Sequence, residues 1–158
     1  MKNKVNVKLE LMPAERMKLR ANKIKIRDIN TYSIDALCEM LNISMIRAME
    51  IYAHVEFQQI PSIGIKFTQD LISMGYYSLK ELKGKDGALL TEEFEFLKEY
   101  WIDPCVEDQF RLVVHYANTK DDSKNWWDFT LERKMYRIQN GYPSNRPKKA
   151  WFEVAGLK

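Results

Sequence analysis

Residues Gln59 to Met74, QIPSIGIKFTQDLISM, constrain this chain more than any other stretch, because a proline and a glycine three places apart interrupt two helical patterns. Pro61 fixes its own φ, lacks an N–H and disfavours helix at Ile60, so the preceding helix stops there. Gly64 is expected at positive φ, a conformation closed to most residues, where it also lets a phosphate approach the backbone. The helix that follows starts with its first N–H groups pointing outward. Those donors, the positive end of the helix dipole and the Lys66 ammonium converge on one small volume, the geometry that holds a phosphate oxygen. The candidate contact set is Ser62, Ile63, Gly64, Ile65 and Lys66. Nothing in the turn reads a base edge, so such contacts give binding without sequence preference.

The same residues resemble a helix-hairpin-helix motif: an apolar residue, Pro, Gly, an aliphatic, Gly, then a Lys two places on and a small residue two after that. Here the string is Ile60, Pro61, Ser62, Ile63, Gly64, Lys66 and Thr68. It departs from the motif at Ser62, where the family has Gly. Ile63 is expected to bury the hairpin, and Leu71 with Ile72 to form the inner face of the second helix. The competing reading is a hairpin that is only a packing or protein-contact element.

At 158 residues with 46% apolar content the chain can bury a core without staples. No apolar run follows the N-terminal lysines, and no run of about twenty apolar residues occurs anywhere. Cys38 and Cys105 are too few for a disulfide framework. The expectation is a soluble cytoplasmic protein with no membrane partner, no cofactor and no metal. The net charge of +3 conceals a segregation: residues 1–28 hold nine basic and three acidic side chains, residues 86–128 eleven acidic and four basic, and residues 129–158 seven basic and two acidic. Basic ends would add phosphate contacts, while the acidic middle would face away from nucleic acid or meet a protein partner. Ordinary solvated helix faces are the plain alternative.

Helical patterning runs through the chain, giving an all-α fold. Pro13 and Glu15 open a short basic helix, expected to be weakly tied, and an extended KIKIRDI docks through Ile24, Ile26 and Ile29. Ser33 caps a helix closed by Asn42, and Ser44 caps the next, with Met45, Ala48, Met49, Tyr52 and Val55 or Glu56 on its stripe. After the hairpin, Gly75 ends its second helix, and Ser78 with Glu81 forms a capping box. Gly84 and Gly87 mark a loop. Thr91 is expected to cap a helix burying Phe94, Leu97 and Trp101. Asp103-Pro104 starts a helix burying Val106, Phe110, Val113, Val114 and Ala117, and Asp128 caps a last helix that Gly141 stops. The organisation read from this is a basic helix and linker (1–32), a hairpin unit (33–84), helices packed on it as one body (85–140) and an extended tail (141–158).

Residues 40–52 overlay residues 60–72: Met40, Ile43, Met45, Ala48 and Ile51 fall on Ile60, Ile63, Ile65, Thr68 and Leu71. This reads as a tandem helix-hairpin-helix with a degenerate first copy, followed by additional packed helices. Further on, GYYSLKELKGKDG, WIDPCVEDQFRLVVHYAN and NWWDFTLERK resemble a bacterial family of small helix-hairpin-helix proteins named after a pathogenicity locus, over about Phe57 to Trp127. The resemblance implies association with DNA through the hairpin and assigns no catalytic activity or virulence role.

Other chemistry fits the residues less well. DNA glycosylases place a catalytic Lys just after such a hairpin and an Asp about twenty residues on. Lys66 suits the first position, but Asp86 and Asp103 both lack the Val-Asp-x-His context, so a lyase is the third-ranked function. Cys105 stands in a helix first turn, where the dipole lowers a thiol pKa, yet His115 is nearly three turns away and the thiol is read as packed. Cys38, His54, Cys105 and His115 have no zinc-ligand spacing. Trp101, Trp126 and Trp127 could stack on bases, and packing is the preferred reading.

Overall fold

A computed structural model describes residues 6–154; Lys2, Lys4 and Lys158 of the basic runs lie outside them. The helices are α1 (Pro13–Ala21), α2 (Ile34–Leu41), α3 (Met45–Phe57), α4 (Ile65–Ser73), α5 (Leu79–Leu82), α6 (Gly87–Lys98), α7 (Pro104–Thr119) and α8 (Thr130–Asn140). The protein is all-α: among the described residues the only extended pairing is an isolated parallel bridge between Trp101 and Ala150. No helix among them is long and apolar enough to cross a membrane. The chain divides into two compact units, Met1–Glu81 and Leu82–Lys158.

In the first unit, helix ends follow local chemistry. The Ser33 and Ser44 hydroxyls accept from the amides of Ala36 and Arg47, each at 3.1 Å, and Asn42 between them is left-handed at φ 51°. Helix α1 starts at Pro13, with Glu15 reaching back to the Met12 amide at 2.8 Å. It is not weakly tied. Leu19 and Glu15 are buried, and Glu15 makes a two-pronged contact with Arg47 on α3, Nε–Oε2 2.8 Å and Nη2–Oε1 2.9 Å. The Arg47 hydrogen bond holds the Glu15 carboxyl below the usual carboxylate value. Because the folded value is the depressed one, the pair stabilises fully above the ordinary carboxylate range and fades as pH falls through it.

The KIKIRDI stretch is not extended throughout: Ile26–Thr31 forms a 3-10 turn, with Ile24 and Ile29 buried and Ile26 packed on the same core. Helix α3 is the centre of this unit. Its Ala48, Ile51, Ala53, Val55 and Phe57 are all buried, which needs neighbours on more than one side, whereas Met45 at its first turn is exposed. Helix α4 buries Phe67, Thr68 and Leu71, leaving Ile72 only half-buried. Gly75 at φ 89° closes it, with Gly75 N–H donating to Ile72 O at 2.9 Å and Tyr76 N–H to Leu71 O at 3.0 Å, a paired closure that requires a left-handed residue.

In the second unit, α6 begins at Gly87 rather than after Thr91. Asp86 caps it, Oδ1 accepting from the Ala88 and Leu89 amides at 2.8 and 3.1 Å, while Thr91 lies buried inside with its hydroxyl on Gly87 O at 2.8 Å. The physical reason is a helix crossing. A Cβ on Gly87 would stand 2.7 Å from Arg111 Cγ and 2.9 Å from Arg111 Cα, so only glycine lets α7 pass. With that start, α6 buries Ala88, Leu90, Thr91, Phe94 and Glu95, and Leu97 is exposed instead of sharing a face with Phe94. Asp103 caps α7 through the Cys105 amide at 2.9 Å, and Phe110, Leu112, Val113, Val114 and Ala117 are its apolar buried side. Asp128 does not cap α8, whose N-cap is Phe129; it lies inside a 3-10 turn, Trp126–Phe129, and its carboxylate reaches back to accept from the Asn125 amide at 2.8 Å.

The segregated charges meet inside this unit. Glu95, Glu107 and Asp108 of the acidic middle are at most 1% exposed. Arg133 Nε lies 2.6 Å from Asp108 Oδ1, Arg137 Nη2 2.8 Å from Glu107 Oε1, and Arg146 contacts both oxygens of Glu95 at 2.9 Å. Arg111 and the Thr130 hydroxyl complete the set on Glu107 and Asp108, at 2.9 and 2.8 Å. Removing one partner strands the other charge away from water, which costs about 3–5 kcal/mol. Asp108→Ala is therefore expected to lower the urea midpoint of the second unit by that equivalent, and a loss under about 1 kcal/mol would contradict the buried pairing.

Candidate nucleic-acid interface

The turn between α3 and α4 places the five sequence-predicted contact residues in two groups. Ile63 is buried at 5% exposure beside Ile60 at 1%, so their side chains anchor the turn. Ser62, Gly64 and Lys66 are exposed, and Ile65 is half-buried. Backbone hydrogen bonds set the shape: Ile60 N–H to Phe57 O at 3.1 Å, Ile63 N–H to Ile60 O at 3.2 Å and Thr68 N–H to Gly64 O at 3.2 Å. The Thr68 hydroxyl also donates to Gly64 O at 3.0 Å, which accounts for a small hydroxyl residue at this buried position.

The left-handed residue is not Gly64. Gly64 has φ −105° and ψ −176°, extended backbone open to any residue, and a Cβ built there meets nothing within 4 Å. Ser62 carries the positive φ, at 62°. Gly64 serves instead as the N-cap of α4, and it has no side chain to accept from the first-turn amides. The N-caps Ser33, Ser44, Asp86 and Asp103 each accept from their own helix. At the start of α4 the positive dipole end and the exposed Lys66 therefore meet no carboxylate or hydroxyl from the cap.

Two neighbouring residues that carried no sequence signal organise the approach to the turn. Buried Gln58 exchanges two hydrogen bonds with the backbone of Lys8, accepting at 2.9 Å and donating at 2.7 Å. Gln59 donates to Asn30 Oδ1 at 3.1 Å and to Arg27 O at 3.4 Å. Two stretches of the basic N-terminal run, at Lys8 and Arg27, are thus stitched to the end of α3 immediately before Ile60. A glutamine at a helix end has no recognisable spacing, so only the tertiary contact reveals it.

The other chemistry-bearing residues are placed elsewhere or occupied. Asp86 and Asp103, the candidate acids of a lyase, are helix caps. Cys105 is exposed, contrary to the packed reading, because it sits on the outer side of the first turn of α7. Partial burial and a hydrogen bond to Asp103 push its thiol pKa up, opposite to the effect of a helix dipole. His115 pairs with Asp121 at 3.1 Å. Among the described residues no three His, Cys, Asp or Glu side chains gather as a metal site. Trp101 packs edge-on to Phe152 under Arg146, while Trp127 is 55% exposed and edge-on to Trp126.

The left-handed serine makes a prediction. A non-glycine residue there costs about 1–2 kcal/mol, partly offset by the greater unfolded-state freedom of glycine. Ser62→Gly should raise the stability of the first unit by about 0.5–1 kcal/mol in urea unfolding. A destabilised variant would contradict the assignment of the left-handed position.

No curated protein and no solved structure matches the chain. A family profile does: the one described as Pathogenicity locus covers residues 50–135, from the middle of α3 through the α3–α4 turn and α6 and α7 into α8. That span exceeds half of the sequence, and the chain belongs to the Pathogenicity locus family.

Proposed function

We propose that this protein is a DNA-binding accessory protein that grips backbone phosphates, without reading sequence, through Ser62 to Lys66. The observation that carries this reading is the exposed start of α4, where a side-chain-free N-cap, the helix dipole and Lys66 coincide. A phosphate oxygen supplies the acceptor that Ser33, Ser44, Asp86 and Asp103 supply at the other helices. The segments at Lys8 and Arg27 add positive charge beside the turn.

The turn is read as the second copy of a tandem helix-hairpin-helix. Supporting this, residues twenty apart have matching roles: Asn42 and Ser62 are left-handed, Ser44 and Gly64 are extended N-caps, and Ala48 with Thr68 and Ile51 with Leu71 are fully buried. The copies differ where binding is at stake. Ser44 occupies the amide of Arg47 with its own hydroxyl, and Arg47 is tied to Glu15, so the first copy is closed to an anion and the second is open.

Two variants test this. Lys66→Ala should weaken binding about equally on unrelated duplexes and reduce the slope of log affinity against log salt by about one, as for one lost phosphate contact. Gly64→Asp should fold normally, since the added Cβ has open space and the residue is already extended, yet its carboxylate would occupy the α4 amides and repel phosphate. Circular dichroism and a fluorescence-anisotropy titration should find an intact fold with binding reduced at least tenfold. Wild-type affinity in both variants would leave the hairpin as architecture alone, and an effect confined to one DNA sequence would mean a base contact.

A further inference from the structure

A second candidate site lies in the first unit, apart from the hairpin residues. A cleft of about 320 Å³ opens between the start of α2, the middle of α3 and the segment before α5. Tyr32, Tyr52 and Tyr77 line it with Met49 and Ile34, and its one charged lining residue is Glu81. All three tyrosines and Met49 are only half-buried, so the cleft is reached from solvent.

The cleft is built rather than accidental. Its third wall is held to α3 by Glu56, whose Oε2 accepts from the Leu79 amide at 3.0 Å, and Glu81 braces the same wall by accepting from the Tyr77 and Ser78 amides at 2.6 and 3.0 Å. Burial first and the Glu56 carboxylate second raise the Tyr52 pKa. Three aromatic residues, a polarisable thioether and the Glu81 carboxylate, with no Lys or Arg in the lining, suit a cation and disfavour a phosphate. The volume is at the low end for small-molecule sites, which fits a head group of a few carbons.

We propose that the Tyr32–Tyr52–Tyr77 cleft binds a small organic cation, with an alkylated ammonium as the head group. The tyrosines attract the diffuse charge and apolar surface of the methyl groups, and Glu81 with Glu56 supplies long-range attraction. Such a ligand is distinct in sign from the phosphate proposed for the hairpin, so either site can fail without the other.

The test is a titration of the full chain with choline chloride at low salt, followed by tyrosine fluorescence and ring-proton NMR, beside the neutral isostere 3,3-dimethylbutan-1-ol. Saturable choline binding is expected, with shifts at Tyr32, Tyr52 and Tyr77, and the isostere should bind about tenfold more weakly. Tyr77→Ala should weaken choline binding at least threefold. Glu81→Gln, which keeps an oxygen for the Tyr77 and Ser78 amides but removes the charge, should weaken choline binding and leave the isostere unaffected. Absence of saturable choline binding, equal affinity for choline and isostere, or wild-type choline affinity in a folded Glu81→Gln protein would each overturn the proposal.

Discussion

Glu95, Glu107 and Asp108 sit almost without solvent contact, and each such carboxylate must be neutralised by a cation held in hydrogen-bonding geometry. The second unit depends on this requirement. Arg133 and Arg137 fasten α8 to α7 through Asp108 and Glu107. Arg146 does the same for the last segment, gripping Glu95 while stacking over Tyr142 at 3.6 Å and Trp101 at 5.3 Å. Residues 141–154 have no helical periodicity of their own, and they take their place from that arginine and from the Trp101–Ala150 bridge. Such pairs contribute less net stability than well-packed apolar residues of the same size would, but they discriminate strongly against any arrangement that leaves a charge alone.

The first unit solves a different problem, because short helices cannot stand without tertiary support. Helix α3 supplies it, burying residues on more than one side and receiving Glu15 from α1 through Arg47. Its end is where the basic segments converge, through Gln58 and Gln59. The turn that follows is rigid on its inner side, through Ile60 and Ile63, and exposed on its outer side. The phosphate contact we propose would draw on that combination, since donors that must be ordered on binding lose much of the affinity they supply.

Much of this was legible in the residues. Ser33, Ser44, Asn42, Pro13, Asp103-Pro104 and Gly75 start or end helices as local chemistry dictates, since a cap depends on neighbours within one turn. The misreadings share a cause. Gly87 reads as a loop residue because nothing local reveals that α7 crosses there, and a helix start placed after it makes Thr91 a cap and puts Leu97 on the face of Phe94. Gly64 reads as the left-handed residue because glycine is the default for that conformation, whereas Ser62 holds it and Gly64 is the extended N-cap of α4. The charge blocks suggested surfaces facing outside partners, yet several of their members face one another. The residue type alone predicts a packed Cys105, but the first turn of a helix has an outer side, and Cys105 lies on it.

Amide chemical-shift mapping of the isotopically labelled chain with a short duplex of arbitrary sequence, at low and at moderate salt, addresses the central claim most directly. The account predicts that the largest shifts fall on residues 62–66, with smaller ones near Lys8 and Arg27, that a second unrelated duplex gives the same pattern, and that all of them shrink together as salt rises. Shifts absent from residues 62–66, or concentrated on a surface of the second unit, would contradict it.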